Sequence, residues 1–187
     1  MRLCKAVILS LVLFFTTLCS AQLNTARVME IGRNALYFED YVLSIQYFNK
    51  VIDAKPFLYE PYFYRGLAKF YLDDFIGAQE DLTLSIARNP YVARSYQLRG
   101  LCRANLDSLA LAEQDIRAGI KYDPQNINMW QNLAGVLMQG ARWEQAAAVV
   151  DSLLLFAPRN SGAYVMRTQV AMQLKDTVTA LAMAGKA

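Results

Sequence analysis

The chain has 187 residues, 55% of them hydrophobic, and carries 19 Lys and Arg against 16 Asp and Glu, a net charge of +3. It contains no His, which excludes Ser–His–Asp triads, Cys–His dyads and His-type zinc sites. The length suits one ordinary domain or one short array of repeats, and the nearly balanced charge argues against a nucleic-acid binder.

The first predicted element is an export signal. Residues 1–5 form a cationic start, residues 6–18 form an apolar run without charge, and small residues follow up to Ala21. This order is typical of a secretory signal peptide, and we expect cleavage after Ala21. As a helix the apolar run would rise about 20 Å, less than the roughly 30 Å of a hydrocarbon core. A retained membrane anchor and a lipid-modified Cys19 are the alternatives.

The mature chain predicted in this way begins at Gln22. Removal of residues 1–21, which include Arg2 and Lys5, would leave 166 residues with a net charge of +1 and one cysteine, Cys102. A single cysteine cannot form an internal disulfide, so we expect an exported, periplasmic or secreted protein that is stabilised by its core alone. Cys102 is expected to be a small buried hydrophobe, because no His is present to activate it.

The remainder of the chain has a period of 34 residues, which is the spacing of Pro56, Pro90, Pro124 and Pro158. Other positions repeat with the prolines. Twenty-four residues before each proline is a small residue: Gly32, Gly66, Gly100 and Ala134. Four residues earlier is a larger one: Val28, Tyr62, Tyr96 and Trp130. Twelve before each proline is Ser or Ala, and eight before is a large apolar residue: Phe48, Leu82, Ile116 and Val150.

This pattern resembles the tetratricopeptide repeat, most clearly at Trp130, Leu133, Ala134, Ala146, Val150 and Pro158. The first repeat departs from it, with Val28 for the aromatic residue and Ser44 for the alanine. The resemblance covers about residues 25–187. It implies an all-α fold, a right-handed α-solenoid of helix-turn-helix units with four full repeats and a partial fifth. The expected repeats are 25–58, 59–92, 93–126, 127–160 and 161–187.

Apolar residues at helical spacing, separated by turn and N-cap residues, place two helices in each repeat. We expect helix pairs at 25–37 and 41–54, 59–71 and 75–88, 93–105 and 109–122, 127–139 and 143–156, and 161–173 and 177–185. The turns within these pairs fall near Glu39, Asp73, Asp107, Gly140 and Asp176. The short last helix is expected to be either a minimal cap or the point where a longer array continues.

Charged residues in two repeats predict ion pairs. Arg65 and Arg99 lie 25 residues before their prolines, and Asp81 and Asp115 lie nine before. The first and fourth repeats replace both members by Ile31 with Tyr47 and by Leu133 with Val149. Because a buried charge needs a partner, the pattern indicates a structural ion pair across the second and third hairpins. Arg167 has no such aspartate and is expected to be exposed at the free end.

Residues for catalysis are not apparent. The chain has no phosphate-binding glycine loop, no nucleophile elbow and no cysteine pair, so we expect no enzyme, no cofactor and no metal. The glycines at the repeat spacing are expected at helix contacts. Adjacent carboxylates such as Asp73 and Asp74 are expected to cap helices at solvated turns, in preference to acid–base work or Ca²⁺ binding.

The resemblance implies that the first helix of each pair presents the binding surface on the concave side. Along that stripe, aromatic and aliphatic residues in repeats one and two give way to amides and one arginine. The predicted protein-binding groove consists of Tyr37, Phe63, Phe70, Tyr71, Arg94, Gln97, Asn105 and Gln131. Aromatic side chains would anchor apolar groups, and amides would pair with a peptide backbone. Packing against neighbouring helices is the alternative for Phe63 and Phe70.

The function expected from this surface is that of an exported interaction scaffold or adaptor of the cell envelope, which binds a protein or peptide segment. No nucleic acid and no stable membrane insertion after signal cleavage are expected. The alternatives are a glycan-binding module and a non-catalytic recruiting arm of a larger enzyme or assembly. Some members of the family clamp chaperone tails with Lys and Asn at places on the stripe that hold Met29, Arg33, Phe63, Leu67 and Gln97 in this chain, so that specificity is not expected.

Overall fold

The computed structural model describes residues 24–187, which form ten α-helices and no strand. The predicted export signal lies outside these residues. The helices are α1 Thr25–Tyr37, α2 Tyr41–Ala54, α3 Glu60–Tyr71, α4 Phe75–Arg88, α5 Ala93–Asn105, α6 Leu109–Tyr122, α7 Ile127–Gln139, α8 Trp143–Phe156, α9 Ser161–Gln173 and α10 Thr177–Ala184. Each begins and ends within one residue of its predicted bound, and the all-α solenoid is confirmed.

A tight two-bond closure ends the first helix of each hairpin. In the first hairpin the N–H of Glu39 donates to Leu36 O at 3.1 Å, and the N–H of Asp40 donates to Ala35 O at 2.8 Å. This Schellman arrangement needs a left-handed residue, and Glu39 has φ of 62°. The equivalent residues are Asp73, Asp107, Ala141 and Lys175, with φ between 54° and 60°. The short turn therefore holds the two helices antiparallel.

Several second helices are capped from within the same turn. The carboxylate of Asp40 accepts from Leu43 N at 3.1 Å, and that of Asp74 accepts from Gly77 N at 2.9 Å. Ser108, at the equivalent position, forms no side-chain cap. The aspartates of these turns thus satisfy N–H groups at the start of a helix, the role expected of them from the sequence.

A hydrogen bond joins the repeated aromatic position to the preceding proline in three of the four repeats that have both. The side chains of Tyr62, Trp130 and Tyr164 donate to the carbonyls of Pro56, Pro124 and Pro158 at 3.2, 2.8 and 2.9 Å. Each bond fixes the start of one hairpin to the end of the previous one. The two residue types recur together in the sequence because they form one contact between repeats.

Close helix contacts explain the small residues. A Cβ added at Gly100 would lie 2.7 Å from Cγ1 of Ile116 and 3.0 Å from the carbonyl oxygen of Ala112. Ile116 is fully buried at this contact, as are the equivalent Phe48, Leu82 and Val150. The small residue therefore allows the second helix of the hairpin to approach and insert its large apolar side chain.

The first helices of successive hairpins form one continuous face. Each helix packs against the next in the chain, and α1, α3, α5, α7 and α9 also contact one another in series. No such contacts join the second helices of the described residues. The array is therefore more closely spaced on the side of the first helices, which is the concave side. Within residues 24–187 no helix is long and apolar enough to cross a membrane.

Candidate protein-binding groove

Three adjoining clefts line the concave face. The aromatic cleft is formed by Arg33, Leu36, Tyr37, Glu39, Tyr41, Tyr64, Leu67 and Tyr71. The central cleft is formed by Phe63, Leu67, Phe70, Tyr71, Arg94, Gln97, Leu98, Leu101, Asn126 and Asn128. The amide cleft is formed by Leu101, Ala104, Asn105, Asp107, Gln131, Asn132, Gly135, Val136 and Gln139. Shared residues, Leu67 and Tyr71 and then Leu101, make the three clefts one groove across α1, α3, α5 and α7.

All eight residues that the sequence predicted for a groove line one of these clefts, but their exposure differs. Tyr37 is 81% exposed and Tyr71 is 53% exposed. Arg94 and Asn105 are also exposed, and Phe70, Gln97 and Gln131 are half-buried. Phe63 is only 6% exposed and packs with the core of the second and third repeats. Phe63 therefore offers the groove little surface of its own.

Tyrosines cluster at the start of the groove. The rings of Tyr41 and Tyr71 stack at 5.0 Å between centroids with an interplanar angle of 22°. Partial burial, the nearby carboxylate of Glu39 and the neighbouring Tyr71 all raise the pKa of Tyr41. The guanidinium of Arg33 lies 6.0 Å from the ring centroid of Tyr64. Aromatic faces, one carboxylate and one guanidinium thus share this cleft.

Arg94 is the cation of the central cleft. Its guanidinium lies 5.4 Å from the ring centroid of Phe63, and the side chain is exposed. It forms no ion pair within residues 24–187, in contrast to Arg65 and Arg99. A guanidinium held over an aromatic ring keeps its N–H donors available to a carboxylate or a carbonyl group.

Arg65 and Arg99 lie in ion pairs that cross the second and third hairpins. Nε and Nη2 of Arg65 donate to the two carboxylate oxygens of Asp81 at 2.8 and 2.5 Å. Lys69 Nζ also lies 2.9 Å from Asp81, whose side chain is 2% exposed. Asp81 is therefore buried between two cations. Residues Arg65, Lys69 and Asp81 are referred to below as the second-repeat triad.

The third repeat contains the same arrangement. Arg99 donates to both carboxylate oxygens of Asp115 at 2.7 and 2.8 Å, and Nη1 of Arg103 lies 2.8 Å from the same carboxylate. Burial lowers the pKa of Arg103, while the charge of Asp115 opposes that shift. The second cation of each triad was not predicted. It follows its arginine by four residues, and the first, fourth and fifth repeats, which lack the aspartate, have Ala35, Leu137 and Ala171 there.

Arg167 differs from the expectation that it would be exposed at the free end. Its Nε donates to Asp151 Oδ1 at 2.8 Å, and its side chain is 15% exposed. The partner is 16 residues earlier, in the preceding repeat. Arg65 and Arg99 make the equivalent backward contacts, to Asn49 at 2.7 Å and Thr83 at 3.2 Å. The arginine position therefore links successive hairpins, which a comparison made only within each repeat could not reveal.

Cys102 is buried in the core of the second and third repeats. Burial raises the pKa of its thiol to about 12, so the reactive thiolate is scarce near neutral pH. Within residues 24–187, His, Cys, Asp and Glu do not gather in a group of three that could hold a metal ion.

No protein-family model and no curated protein matches the sequence. Solved structures do match. A crystal structure of the MamA protein has a TM-score of 0.79 at 18% identity, covering 87% of this chain and 88% of that one. YrrB, described as a TPR protein with an unusual peptide-binding site, has a TM-score of 0.75 at 10% identity, covering 92% of this chain and 89% of that one.

A third similar structure is the first TPR of Spaghetti (RPAP3) bound to the HSP90 peptide SRMEEVD. Its TM-score is 0.61 at 26% identity, and the match covers 63% of this chain and 93% of that one. The stacked hairpins and the open groove place the chain among the right-handed α-solenoids. Its fold is that of the tetratricopeptide repeats, as the 34-residue period and the aligned positions predicted.

Proposed function

We propose that this chain is an exported interaction scaffold that binds a segment of a partner protein along its concave groove. The observation that carries the proposal is the continuity of the three clefts, whose exposed side chains change from aromatic to amide along one face. No catalytic role is assigned to the chain in this proposal. Aromatic side chains at one end of the groove would provide most of the affinity, and amides at the other end would fix the register of the bound segment.

The aromatic end supplies the anchors. Tyr37 and Tyr71 expose large rings on a surface where solvation alone would favour smaller polar groups. Aromatic residues that become buried on binding commonly provide much of the affinity of an interface. Tyr71 lines both the aromatic and the central cleft, so a bound segment passing between them would contact it.

The amide end supplies polar contacts. Gln97 and Asn128 make no side-chain hydrogen bond within residues 24–187, and both line the central cleft with Arg94. A free carboxamide has donors and an acceptor that match the carbonyls and N–H groups of an extended backbone. In contrast, Gln131 already donates to Asn160 Oδ1 at 3.1 Å. Gln97 and Asn128 are therefore better placed than Gln131 to fix the register of a peptide.

Similar proteins support a peptide ligand. The RPAP3 domain is described in complex with a peptide, and YrrB is described as having a peptide-binding site. The same kind of ligand can be proposed for this chain only if its groove is accessible. Tyr71 and Arg94 are both exposed there, and Arg94 forms no ion pair within residues 24–187. Arg94 would select an acidic side chain on the partner, and association would then slow as salt is added.

Site-specific photo-crosslinking tests the groove directly. A photoreactive amino acid replaces Asn105, exposed in the amide cleft, or Leu155, which is 86% exposed on α8 outside the three clefts. We expect partner adducts from position 105 and not from position 155. Tyr71→Ala and Arg94→Ala should each reduce adduct formation at position 105 by about fivefold or more, if each removes at least about 1 kcal/mol of binding.

Circular dichroism of each variant separates loss of binding from loss of fold. A matched control is Tyr91→Ala, which removes a tyrosine that is 74% exposed but lies in the α4–α5 connection outside the three clefts. Equal adducts from both positions, or adducts unchanged by Tyr71→Ala and Arg94→Ala in folded protein, would contradict the groove proposal. Retention on polysaccharide with no protein adduct would favour the glycan-binding alternative.

Export is the second part of the proposal and rests on the order of residues 1–21. Secreted or periplasmic material should have the mass of a chain beginning at Gln22, with the Cys102 thiol free. A mass that includes residues 1–21, or that of a lipid on Cys19, would refute cleavage after Ala21. The groove proposal does not depend on this result.

A further inference from the structure

We propose that the aromatic cleft is a subsite for a basic side chain of the partner, arginine in particular, which stacks on Tyr71 and Tyr41 and pairs with the carboxylate of Glu39. This inference rests on the proposed function, since it assigns a ligand chemistry to one end of the same groove. It adds a cation-selective end to a groove that has an arginine, Arg94, in its centre.

The position of Glu39 is the first argument. It is exposed in the α1–α2 turn, where its left-handed conformation is required by the helix closure. It lines the cleft beside Tyr37, Tyr41 and Tyr71, and no basic side chain within residues 24–187 pairs with it. The cleft therefore contains a carboxylate that forms no ion pair within residues 24–187 and whose backbone is held in place by the turn.

The surrounding charge has the same sign. The turns that flank the cleft also carry Asp40, Asp73 and Asp74, all exposed, and no Lys or Arg. Asp40 and Asp74 keep their negative charge while capping helices. The nearest cation of the α3 end, Lys69, is bound to Asp81. A positively charged group approaching this end of the groove is attracted by all four carboxylates.

The tyrosine rings supply the second half of the recognition. Cations bind favourably over the faces of aromatic rings, and a planar guanidinium can also stack on them. The stacked pair of Tyr41 and Tyr71 presents such faces next to Glu39. Burial is the largest cause of the raised pKa of Tyr41, and the negative charge of the Glu39 carboxylate adds to it, which places that carboxylate near the ring.

Arg33 also lines the cleft and would repel a cation, so its position matters. It lies on α1 four residues before the last helical residue, Tyr37, or about 6 Å along the helix axis, whereas Glu39 lies beyond the end of the helix in the turn. Its guanidinium is directed at Tyr64 and not at the Tyr41–Tyr71 pair. The two ends of the cleft therefore differ in charge. Arg33 lies at one end, and the end that would accept a cation lies at the hairpin turn with Glu39.

A titration with small probes tests this subsite. The chain is labelled with ¹³C in its tyrosine rings, and Tyr41→Phe and Tyr71→Phe variants assign the two signals. N-acetyl-L-arginine amide is the probe, and N-acetyl-L-citrulline amide is its neutral isostere. We expect the signals of Tyr41 and Tyr71 to shift with the arginine probe and to shift little with citrulline at the same concentration.

Variants decide whether Glu39 is responsible. Glu39→Gln should raise the half-saturating concentration of the arginine probe about fivefold, the size expected for losing a partly exposed charge contact. Asp107→Asn is the matched control, since Asp107 occupies the equivalent turn position of the third repeat but lies beside Asn105 instead of a tyrosine. It should leave the titration unchanged.

Equal shifts with citrulline, or a titration unchanged by Glu39→Gln, would overturn the cationic subsite. The groove proposal would then still be judged by the crosslinking experiment. The opposite result is also informative. If Tyr41 and Tyr71 respond to arginine but Tyr71→Ala and Arg94→Ala leave crosslinking unchanged, the scaffold proposal is wrong. The arginine could then not be assigned to a partner segment.

Discussion

The second and third hairpins bury a carboxylate between two cations, whereas the first and fourth fill the equivalent positions with apolar side chains. Asp81 and Asp115 are 1% and 3% exposed, and their counterparts are Tyr47 and Val149. The backbone arrangement of the hairpins is the same in both cases. One fold thus tolerates two chemically different cores in these four hairpins, which have either all three charged residues or none of them.

The largest effect should follow from removing the carboxylate alone. Asp81→Ala strands Arg65 and Lys69, whose side chains are 19% and 22% exposed, around an empty polar space. We expect the free energy of unfolding to fall by about 3 kcal/mol, at the low end for a buried pair because both cations keep some contact with water. Urea denaturation measures it. A loss below about 1 kcal/mol would show that the triad behaves as a surface ion pair.

Replacing the entire second-repeat triad should recover most of that loss. Arg65→Leu, Lys69→Leu and Asp81→Val together introduce the residues of the fourth repeat, where Leu133 and Leu137 are fully buried. No charge is then left without a partner, so the triple variant should be more stable than Asp81→Ala by about 2 kcal/mol.

The double variant Arg65→Leu with Asp81→Val is the control for Lys69. It leaves this lysine without its carboxylate and should therefore be less stable than the triple variant. If the double and triple variants unfold at the same urea concentration, Lys69 is not part of the charged core. If the triple variant is no more stable than the sum of its single changes predicts, the idea of an exchangeable set is wrong.

The small-residue position offers a second comparison, between the third and the fourth hairpin. The fourth repeat has Ala134 where the third has Gly100, and Gly100 has no room for a Cβ. Gly100→Ala should destabilise the chain by about 1–3 kcal/mol, because Ile116 and the α6 backbone must move. Gly135→Ala, where an added Cβ meets nothing within 4 Å, should stabilise it by about 0.5–1 kcal/mol through helix propensity.

Thermal unfolding of the two glycine variants checks this prediction. If Gly100→Ala is neutral, the third hairpin opens at little cost. The close contact at Gly100 would then not explain why the third repeat has Gly where the fourth has Ala134.

Much of the fold could be predicted because the same pattern of residues recurs in each repeat. Five aligned hairpins specify helix bounds better than one would, and the small and large columns specify which faces meet. The arginine–aspartate columns were also visible because they vary together. The predicted ion pairs did not include Lys69 and Arg103, although these residues vary with the same aspartates. They lie one helical turn beyond Arg65 and Arg99, the positions from which the pairs were predicted.

The groove could be predicted less completely. Helical spacing placed Tyr37 and Tyr71 on the concave face, but the contribution of Tyr41 comes from a second helix, and that of Glu39 from the turn between the two. Their approach to Tyr71 depends on how successive hairpins stack. That stacking is a property of contacts between repeats, which the pattern within a repeat does not specify.

The smallest effect should come from the ion pair that links the fourth and fifth repeats. Asp151, with a side chain that is 51% exposed, accepts from Arg167, and no buried carboxylate in the described part of the chain pairs with this arginine. Asp151→Ala should therefore cost only about 0.2–1 kcal/mol, because water can replace the lost partner. Asp81→Ala, measured by the same urea denaturation, is the reference. A cost for Asp151→Ala close to that of Asp81→Ala would mean that the contact between repeats, more than burial of the carboxylate, determines the energy of these arginines.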